Sequence, residues 1–278
     1  MRLAISNIAW DAVEDQAIAT MLKRFGVNAI DIAPGKYFPE PAHATDEDIA
    51  SVKNWWFERG IEITGLQALL FGTSSLNVFG SPELQDKMLC HLAAVCRIGA
   101  GLGATRIVFG SPKNRDRKGL SDQQAMDMAI PFFRRLGDIA QSYGVVICLE
   151  PNPTCYGANF MTTSSETAEV VRQSGHVAVK MQLDTGALTI NGENPFTILQ
   201  NCASLIGHIH ASEPGLLPLG DGGTKHAEVV AALNLYLPNQ VVSIEMLATQ
   251  DEAHEVSIER ALAVAVHHYL NNRVGVNR

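Results

Sequence analysis

Short apolar runs alternate along the whole chain with longer segments that have helical spacing. The runs that have the character of buried strands are 2–9, 28–33, 61–69, 105–111, 145–150, 177–184, 206–212 and 240–246. Between them, apolar residues recur three and four positions apart, as on one face of a helix. Eight strand–helix units of about 30 residues can close a parallel sheet on itself. We therefore predict an α/β fold, a (β/α)8 TIM barrel with parallel strands.

The alternative arrangement is an open, doubly wound sheet. Such sheets usually carry a glycine-rich dinucleotide turn after the first strand. Here residues 7–10 read Asn-Ile-Ala-Trp and contain no glycine, so the barrel is favoured. Barrels of roughly 250 residues are routinely one domain. We expect a single domain over residues 1–278, with 271–278 as a short C-terminal tail.

Composition excludes several classes of protein. The net charge of −8 opposes a nucleic-acid-binding surface, which is usually basic. No apolar run approaches the roughly 20 residues of a membrane span, and the first residues turn polar too soon for a signal peptide. The five cysteines are odd in number and lack CxxC spacing, which is typical of reduced thiols. We expect a cytoplasmic protein that binds neither nucleic acid nor membrane.

Four polar residues of ligand type stand where four successive strand-like runs end. They are Glu150, Asp184, His210 and Glu245. In a parallel barrel these strand ends meet at one face, where active sites of such folds lie. Three carboxylates and an imidazole converging there would repel one another unless a divalent cation balanced them. Any one of them alone could be a strand-end cap, but the set of four indicates a metalloenzyme.

Strand alternation supports this interpretation. Gln182 shares a strand face with Asp184, and His208 shares one with His210. The opposite faces of these strands are apolar and suit packing against helices. The polar faces are therefore expected to point into the barrel, with the last polar residue of each strand at its mouth.

The sequence around these positions resembles the xylose isomerase-like barrels, which include sugar isomerases, ketose 3-epimerases and apurinic endonucleases. The resemblance is carried by 149–153 (Leu-Glu-Pro-Asn-Pro), 182–186 (Gln-Leu-Asp-Thr-Gly), 208–213 (His-Ile-His-Ala-Ser-Glu), 243–245 (Ser-Ile-Glu) and the loop 109–117. It is most similar to the sugar phosphate isomerase/epimerase branch. By this resemblance Glu150, Asp184, His210 and Glu245 hold one divalent metal ion, which could be manganese, magnesium, cobalt or zinc.

The resemblance implies a metal-dependent sugar isomerase or epimerase that acts on a small ketose, sugar phosphate or sugar acid through a metal-bound enediolate. Glu150 and Glu245 are then the acid/base pair. Three positions depart from the ketose 3-epimerases: Ala187 stands where they have histidine, Leu216 where they have arginine, and Tyr156 where they have glutamate. These side chains help to grip the sugar oxygens, so the metal residues match better than the substrate pocket.

Other readings of the same chemistry stay open at this stage. A dehydratase of the inosose or dehydroshikimate type begins with the same proton removal, and spacing does not separate it from an isomerase. A barrel could also bind a sugar without converting it. An apurinic endonuclease is disfavoured, because the extra histidines of a three-zinc cluster are missing and the charge is acidic.

Six further residues are predicted to contact a small carbohydrate substrate. They lie at strand ends and in the loops that follow: Gln67, Lys113, Arg115, Arg117, His208 and Glu213. The basic loop after the fourth strand could hold a phosphate or carboxylate. Barrels of this family are commonly homo-oligomers, and the sequence itself does not fix the number of subunits.

Overall fold

A computed structural model describes residues 1–271 and contains a closed barrel of eight parallel strands in sequential order. The strands are β1 (Arg2–Ser6), β2 (Ala29–Ile32), β3 (Glu62–Leu66), β4 (Arg106–Phe109), β5 (Val146–Leu149), β6 (Val179–Asp184), β7 (Ile206–Ser212) and β8 (Val241–Glu245). The barrel closes where β8 pairs with β1, with Ile5 opposite Ile244. This confirms the predicted (β/α)8 barrel.

Helices follow the strands and cover the outside of the barrel. They are α1 (Asp15–Phe25), α2 (Asp46–Phe57), α3 (Pro82–Leu102), α4 (Asp122–Ser142), α5 (Ser164–Ser174), α6 (Thr185–Asn191), α7 (Pro195–Cys202), α8 (His226–Tyr236) and α9 (His254–Ala265). Capping boxes begin two of them, since Thr45 and Asp48 bond reciprocally before α2, as do Ser121 and Gln124 before α4. The apolar core lies between this helical layer and the strands.

Most strands are shorter than the apolar runs in the sequence. The first predicted run, 2–9, ends as a strand at Ser6, because Asn7–Ala9 form a 3-10 turn. The Ser6 side chain caps this turn by accepting a hydrogen bond from the Ile8 backbone N–H at 3.4 Å. The last three residues of the first predicted run therefore belong to the loop that follows β1.

The chain continues past α9 in a π-helical turn, Val266–Asn271, in which Tyr269 is buried. Asn271 belongs to this turn and not to the tail that we predicted to begin there. The rest of that tail, 272–278, lies outside the described residues. Within residues 1–271, no helix is long and apolar enough to cross a membrane.

Candidate metal centre

Four ligand-type side chains meet at the C-terminal ends of β5 to β8. Glu150 directly follows β5, Asp184 and Glu245 end β6 and β8, and His210 lies in β7. All four are buried, and one ligand atom from each lies within 4.8 Å of the others. Strand register brings them together, because Asp184 is paired with His210, and Ser212, two residues along, is paired with Glu245. This group is called the upper cluster below.

Neighbouring side chains fix the orientation of the upper cluster. His210 Nδ1 lies 3.0 Å from Glu150 Oε1 and 3.2 Å from Glu245 Oε2, so its ring nitrogen stands between the two glutamates. Gln67 Nε2 donates to Glu245 Oε1 at 2.7 Å, and Ser212 Oγ donates to Asp184 Oδ2 at 2.6 Å. Such outer hydrogen bonds hold carboxylates in the geometry that a metal ion requires.

The charges of the upper cluster are not balanced by protein groups. Burial raises the pKa of Asp184, and the nearby carboxylates of Glu245 and Glu150 raise it further, to about 8. Burial lowers the pKa of His210, but the same two glutamates outweigh burial and raise it well above its usual value. Protons are therefore retained where three carboxylates converge, and a divalent cation can take their place.

The donor set fits a divalent metal ion. Three carboxylates and one imidazole offer the oxygen-rich coordination that manganese and magnesium prefer, and cobalt or zinc also accepts it. The His210 nitrogen already points at the space that the carboxylate oxygens surround. These residues could therefore hold one cation at the mouth of the barrel.

A second carboxylate–histidine contact lies one layer deeper. His208 Nε2 is 3.0 Å from Asp31 Oδ2, and both side chains are buried. Thr64 Oγ1 donates to Asp31 Oδ1 at 2.9 Å. Burial raises the pKa of Asp31, but His208 and His210 outweigh burial and lower it to about 2. This pair, called the lower pair below, balances one carboxylate with one imidazole, and His208 is not among the residues that line the cavity above.

Gly110 leaves the space that the Glu150 carboxylate occupies. A Cβ atom built on Gly110 would lie 2.0 Å from Glu150 Oε2, far inside van der Waals contact. Beneath Glu150, Arg115 Nη1 donates to the Glu150 carbonyl oxygen at 2.7 Å. The position of this glutamate therefore depends on a missing side chain and on a buried guanidinium.

A cavity of about 460 Å³ opens over the upper cluster. Glu150 and Glu245 reach it from the cluster, and Gln67 and Ser111 add polar groups. Most of the remaining wall is apolar and is formed by Ile8, Ala33, Ala68, Leu69, Leu70, Phe71, Val108, Phe109, Leu216 and Leu247. A further cavity of about 480 Å³ lies at the opposite end of the barrel beside Lys53 and Arg106, away from the four ligand residues.

The basic side chains of the loop after β4 lie outside the cavity wall. Arg115 is fully buried and donates to the Glu150 carbonyl and to Asn152 Oδ1, so it supports the site from below. Arg117 pairs with Asp122 at the start of α4, and Lys113 is exposed outside the cavity wall. Arg115 and Arg117 are thus held by protein partners, and neither lines the cavity.

Glu213 is also placed away from the cavity. Its carboxylate accepts hydrogen bonds from the backbone N–H groups of Gly220 at 2.7 Å and Thr224 at 2.8 Å. His226 Nε2 lies 3.0 Å from the same carboxylate, and His226 Nδ1 lies 2.8 Å from the Tyr269 hydroxyl. Glu213 therefore fastens the loop between β7 and α8 instead of facing a substrate. Of the six predicted substrate contacts, Gln67 lines the cavity.

Sequence reasoning missed Asp31, Gly110 and Ser212 as residues that shape the site. Asp31 could have been found by the alternation argument, because it is a lone acidic residue in an otherwise apolar strand. Gly110 stands in the loop 109–117 that carried the family resemblance, but its role depends on a contact that spacing does not reveal. Ser212 shares its strand face with His210 and could also have been found by alternation.

Comparison with known families fits this arrangement. The family model for the xylose isomerase-like TIM barrel matches residues 20–264. The chain belongs to this family. No match was found among curated proteins.

Solved structures share the fold of this xylose isomerase-like barrel at low sequence identity. D-psicose 3-epimerase from Clostridium cellulolyticum H10 aligns with a TM-score of 0.81 and 18% identity, covering 97% of this chain and 99% of that one. The 3-keto-D-glucoside 4-epimerase of E. coli gives 0.77 and 18%, with 95% and 98% covered. The IOLI protein with a bound zinc atom gives 0.75 and 19%, with 97% and 98% covered.

Proposed function

We propose that this protein is a divalent-metal-dependent sugar isomerase or epimerase. The observation that carries the proposal is the pair Glu150 and Glu245, which belong to the upper cluster and also line the cavity above it. Two carboxylates placed on either side of one ring nitrogen can approach a substrate carbon from two directions. This is the arrangement that removal of a proton and its return at another face require.

The upper cluster is the proposed site of one divalent ion, held by Glu150, Asp184, His210 and Glu245. When bound, such an ion polarises a substrate carbonyl and acidifies the neighbouring C–H group. The metal identity in this proposal is manganese, magnesium, cobalt or zinc, since all accept this donor set.

The protein residues then move one proton. Either glutamate takes the proton from the carbon beside the carbonyl, and the electron pair of that C–H bond passes towards the carbonyl oxygen. For epimerisation, the other glutamate starts protonated and donates its own proton to the opposite face of the same carbon, so the two glutamates exchange protonation states. If the proton returns to the neighbouring carbon, the product is the aldose or ketose isomer. Gln67 donates to Glu245 Oε1 at 2.7 Å and so fixes the orientation of this carboxylate.

Known relatives of the fold support the reaction class. Two solved structures of similar shape are named as a D-psicose 3-epimerase and a 3-keto-D-glucoside 4-epimerase, and a third holds zinc. A dehydratase would begin with the same proton removal and then lose a hydroxyl group.

We place the enzyme in the cytoplasm, where its cysteines, all free in residues 1–271, stay reduced.

Proton exchange tests the proposal directly. The purified protein, supplied with manganese or magnesium, is incubated in heavy water with ketoses, sugar phosphates and sugar acids, and NMR follows deuterium uptake beside the carbonyl. We expect metal-dependent uptake with at least one class and an epimer or isomer as product. Tightly bound metal without uptake from any class contradicts the proposed reaction, and a product that has lost water identifies a dehydratase.

A further inference from the structure

Within residues 1–271, the cavity over the upper cluster presents no unpaired basic side chain to an anionic substrate. Lys36 is the one basic residue among the described lining residues, and its Nζ donates to the Asn7 carbonyl at 2.8 Å and to the Trp10 carbonyl. At the cavity floor, three carboxylates with one divalent cation leave a net charge of −1 when His210 is neutral. A phosphate or carboxylate on the substrate would therefore be repelled and left without a partner.

The outer wall of the same cavity is apolar and partly exposed. Leu247 is 50% exposed and Phe71 is 88% exposed, while Leu216 is half-buried beside them. Exposed apolar side chains that border a cavity gain free energy when a ligand covers them. A fully hydroxylated sugar end would instead lose its hydrogen bonds to water against this wall.

The backbone is held in an unfavourable conformation where it presents this wall. Leu216 has a φ of 54° and Ala68 a φ of 53°, a left-handed region that is unfavourable for a residue with a Cβ. The Leu216 carbonyl accepts from the Leu247 backbone N–H at 2.9 Å, and Tyr156 accepts from the Gly215 N–H at 2.6 Å. Backbone strain maintained by several such bonds is concentrated at functional sites.

We propose that the cavity selects an uncharged ketose whose end remote from the carbonyl is apolar, as in a deoxygenated carbon or a glycoside with an alkyl or aryl group. Leu216 and Leu247 are the specificity-determining residues that contact this end. The inference rests on the proposed function, since the carbonyl end is taken to lie at Glu150 and Glu245. It narrows the substrate from the ketoses, sugar phosphates and sugar acids that the sequence leaves open.

The test compares three probes that differ only at the remote end: D-fructose, its terminally deoxygenated analogue and its terminal phosphate monoester. Metal-dependent deuterium exchange gives kcat/KM, and titration calorimetry gives binding whether or not exchange occurs. We expect the deoxygenated ketose to bind and exchange about tenfold better than D-fructose, the difference that one apolar group makes in an apolar pocket. The phosphate ester should be the poorest of the three.

Two matched variants distinguish a charge placed on the cavity wall from the same charge placed elsewhere on the surface. Leu216→Arg brings a cation to the cavity mouth and should improve binding of the phosphate ester about tenfold or more over the wild type. Leu217→Arg places the same charge one residue further along, at a side chain that is 46% exposed and does not line the cavity, and should leave the order of probes unchanged.

The outcomes distinguish this inference from the proposed function. Tighter binding of the phosphate ester by the wild type, no binding of the deoxygenated ketose, or equal effects of the two arginine variants would overturn the inference. If the phosphate ester exchanges best, the proposed isomerase or epimerase activity is supported, but the inferred substrate class is refuted. If the three probes bind in the expected order but none exchanges, the role of the apolar wall is supported and the proposed reaction is refuted.

Discussion

The barrel interior contains two carboxylate–histidine groups that differ in charge balance and in access to solvent. In the lower pair, one carboxylate, Asp31, faces one imidazole, His208, and both side chains are almost fully buried. In the upper cluster, three carboxylates share one imidazole, His210, and two of them reach the cavity. Similar residues thus place one carboxylate against one imidazole at one level and three carboxylates around one imidazole at the next.

The difference shows why buried charge alone does not identify a functional site. The lower pair lowers the pKa of its carboxylate, because the histidines stabilise the ionised form. In the upper cluster, burial raises the pKa of Asp184, and the carboxylates of Glu245 and Glu150 raise it further. A buried site that is short of positive charge and open to a cavity is the one that calls for a metal ion.

The largest effect is expected from a substitution in the acid/base pair of the upper cluster. Glu150→Gln should reduce metal-dependent exchange by about 10³-fold or more, because the amide cannot take up a proton. Thermal unfolding should change little, since shape and volume are kept. Glu193→Gln is the control, because Glu193 bonds to Ser164 away from the cavity. Exchange of Glu150→Gln within about tenfold of the wild type would refute the acid/base role.

The next effect acts on the metal affinity of the upper cluster. Gly110→Ala should weaken metal binding about 100-fold, because the new Cβ would lie 2.0 Å from Glu150 Oε2 and displace that carboxylate. Gly119→Ala is the matched control in the same loop region, where an added Cβ has open space around it. Calorimetric titration with manganese measures both variants, and equal affinities would show that Glu150 does not hold the metal.

The third prediction compares the lower pair and the upper cluster by the stability of metal-free variants. Asp31→Asn should lower the free energy of unfolding by about 2 kcal/mol at neutral pH, because the ionised carboxylate is stabilised by His208. Asp184→Asn should leave the metal-free protein as stable as the wild type or more stable, since it removes a repelled carboxylate. Urea unfolding of the chelator-treated proteins measures both. Equal destabilisation by the two variants would contradict the contrast in charge balance.

The last prediction concerns pH, and its effect is spread over several pH units. The pKa of Asp184 is raised to about 8 in the folded protein, so the folded state binds more protons than the unfolded state between about pH 4 and 8. Stability of the metal-free protein should therefore fall as pH rises through this window, by about 1 kcal/mol per pH unit. Metal affinity should rise over the same window, because fewer protons compete. A stability that rises with pH here, or one that Asp184→Asn leaves unchanged, would contradict the assignment.

The sequence predicted the barrel and the four residues of the upper cluster for a physical reason. Strand periodicity and strand ends are local patterns, and parallel closure brings all C-terminal strand ends to one face. Glu150 and His210 could therefore be expected to meet although they lie far apart in the chain. The residue list for the site required no knowledge of loop conformation.

The surroundings of the cluster could not be predicted in this way. A basic loop residue such as Arg115 can face solvent, a substrate or a buried carbonyl, and its sequence neighbours are the same in each case. In the structure Arg115 is buried because the Glu150 carbonyl, which lies just past the end of β5, accepts a hydrogen bond from it. Likewise, the role of Gly110 depends on its closeness to Glu150, which follows the next strand along the chain. Such effects depend on tertiary packing and not on a local pattern.

The left-handed backbone at Leu216 has a consequence for how this protein can change. Glycine tolerates that conformation without the Cβ penalty, so Leu216→Gly should make the fold more stable while it removes part of the cavity wall. Selection for heat resistance and selection for turnover would then favour different residues at one position. Laboratory evolution under either selection should show this conflict at position 216. Gains in thermal stability there should be accompanied by losses in substrate specificity.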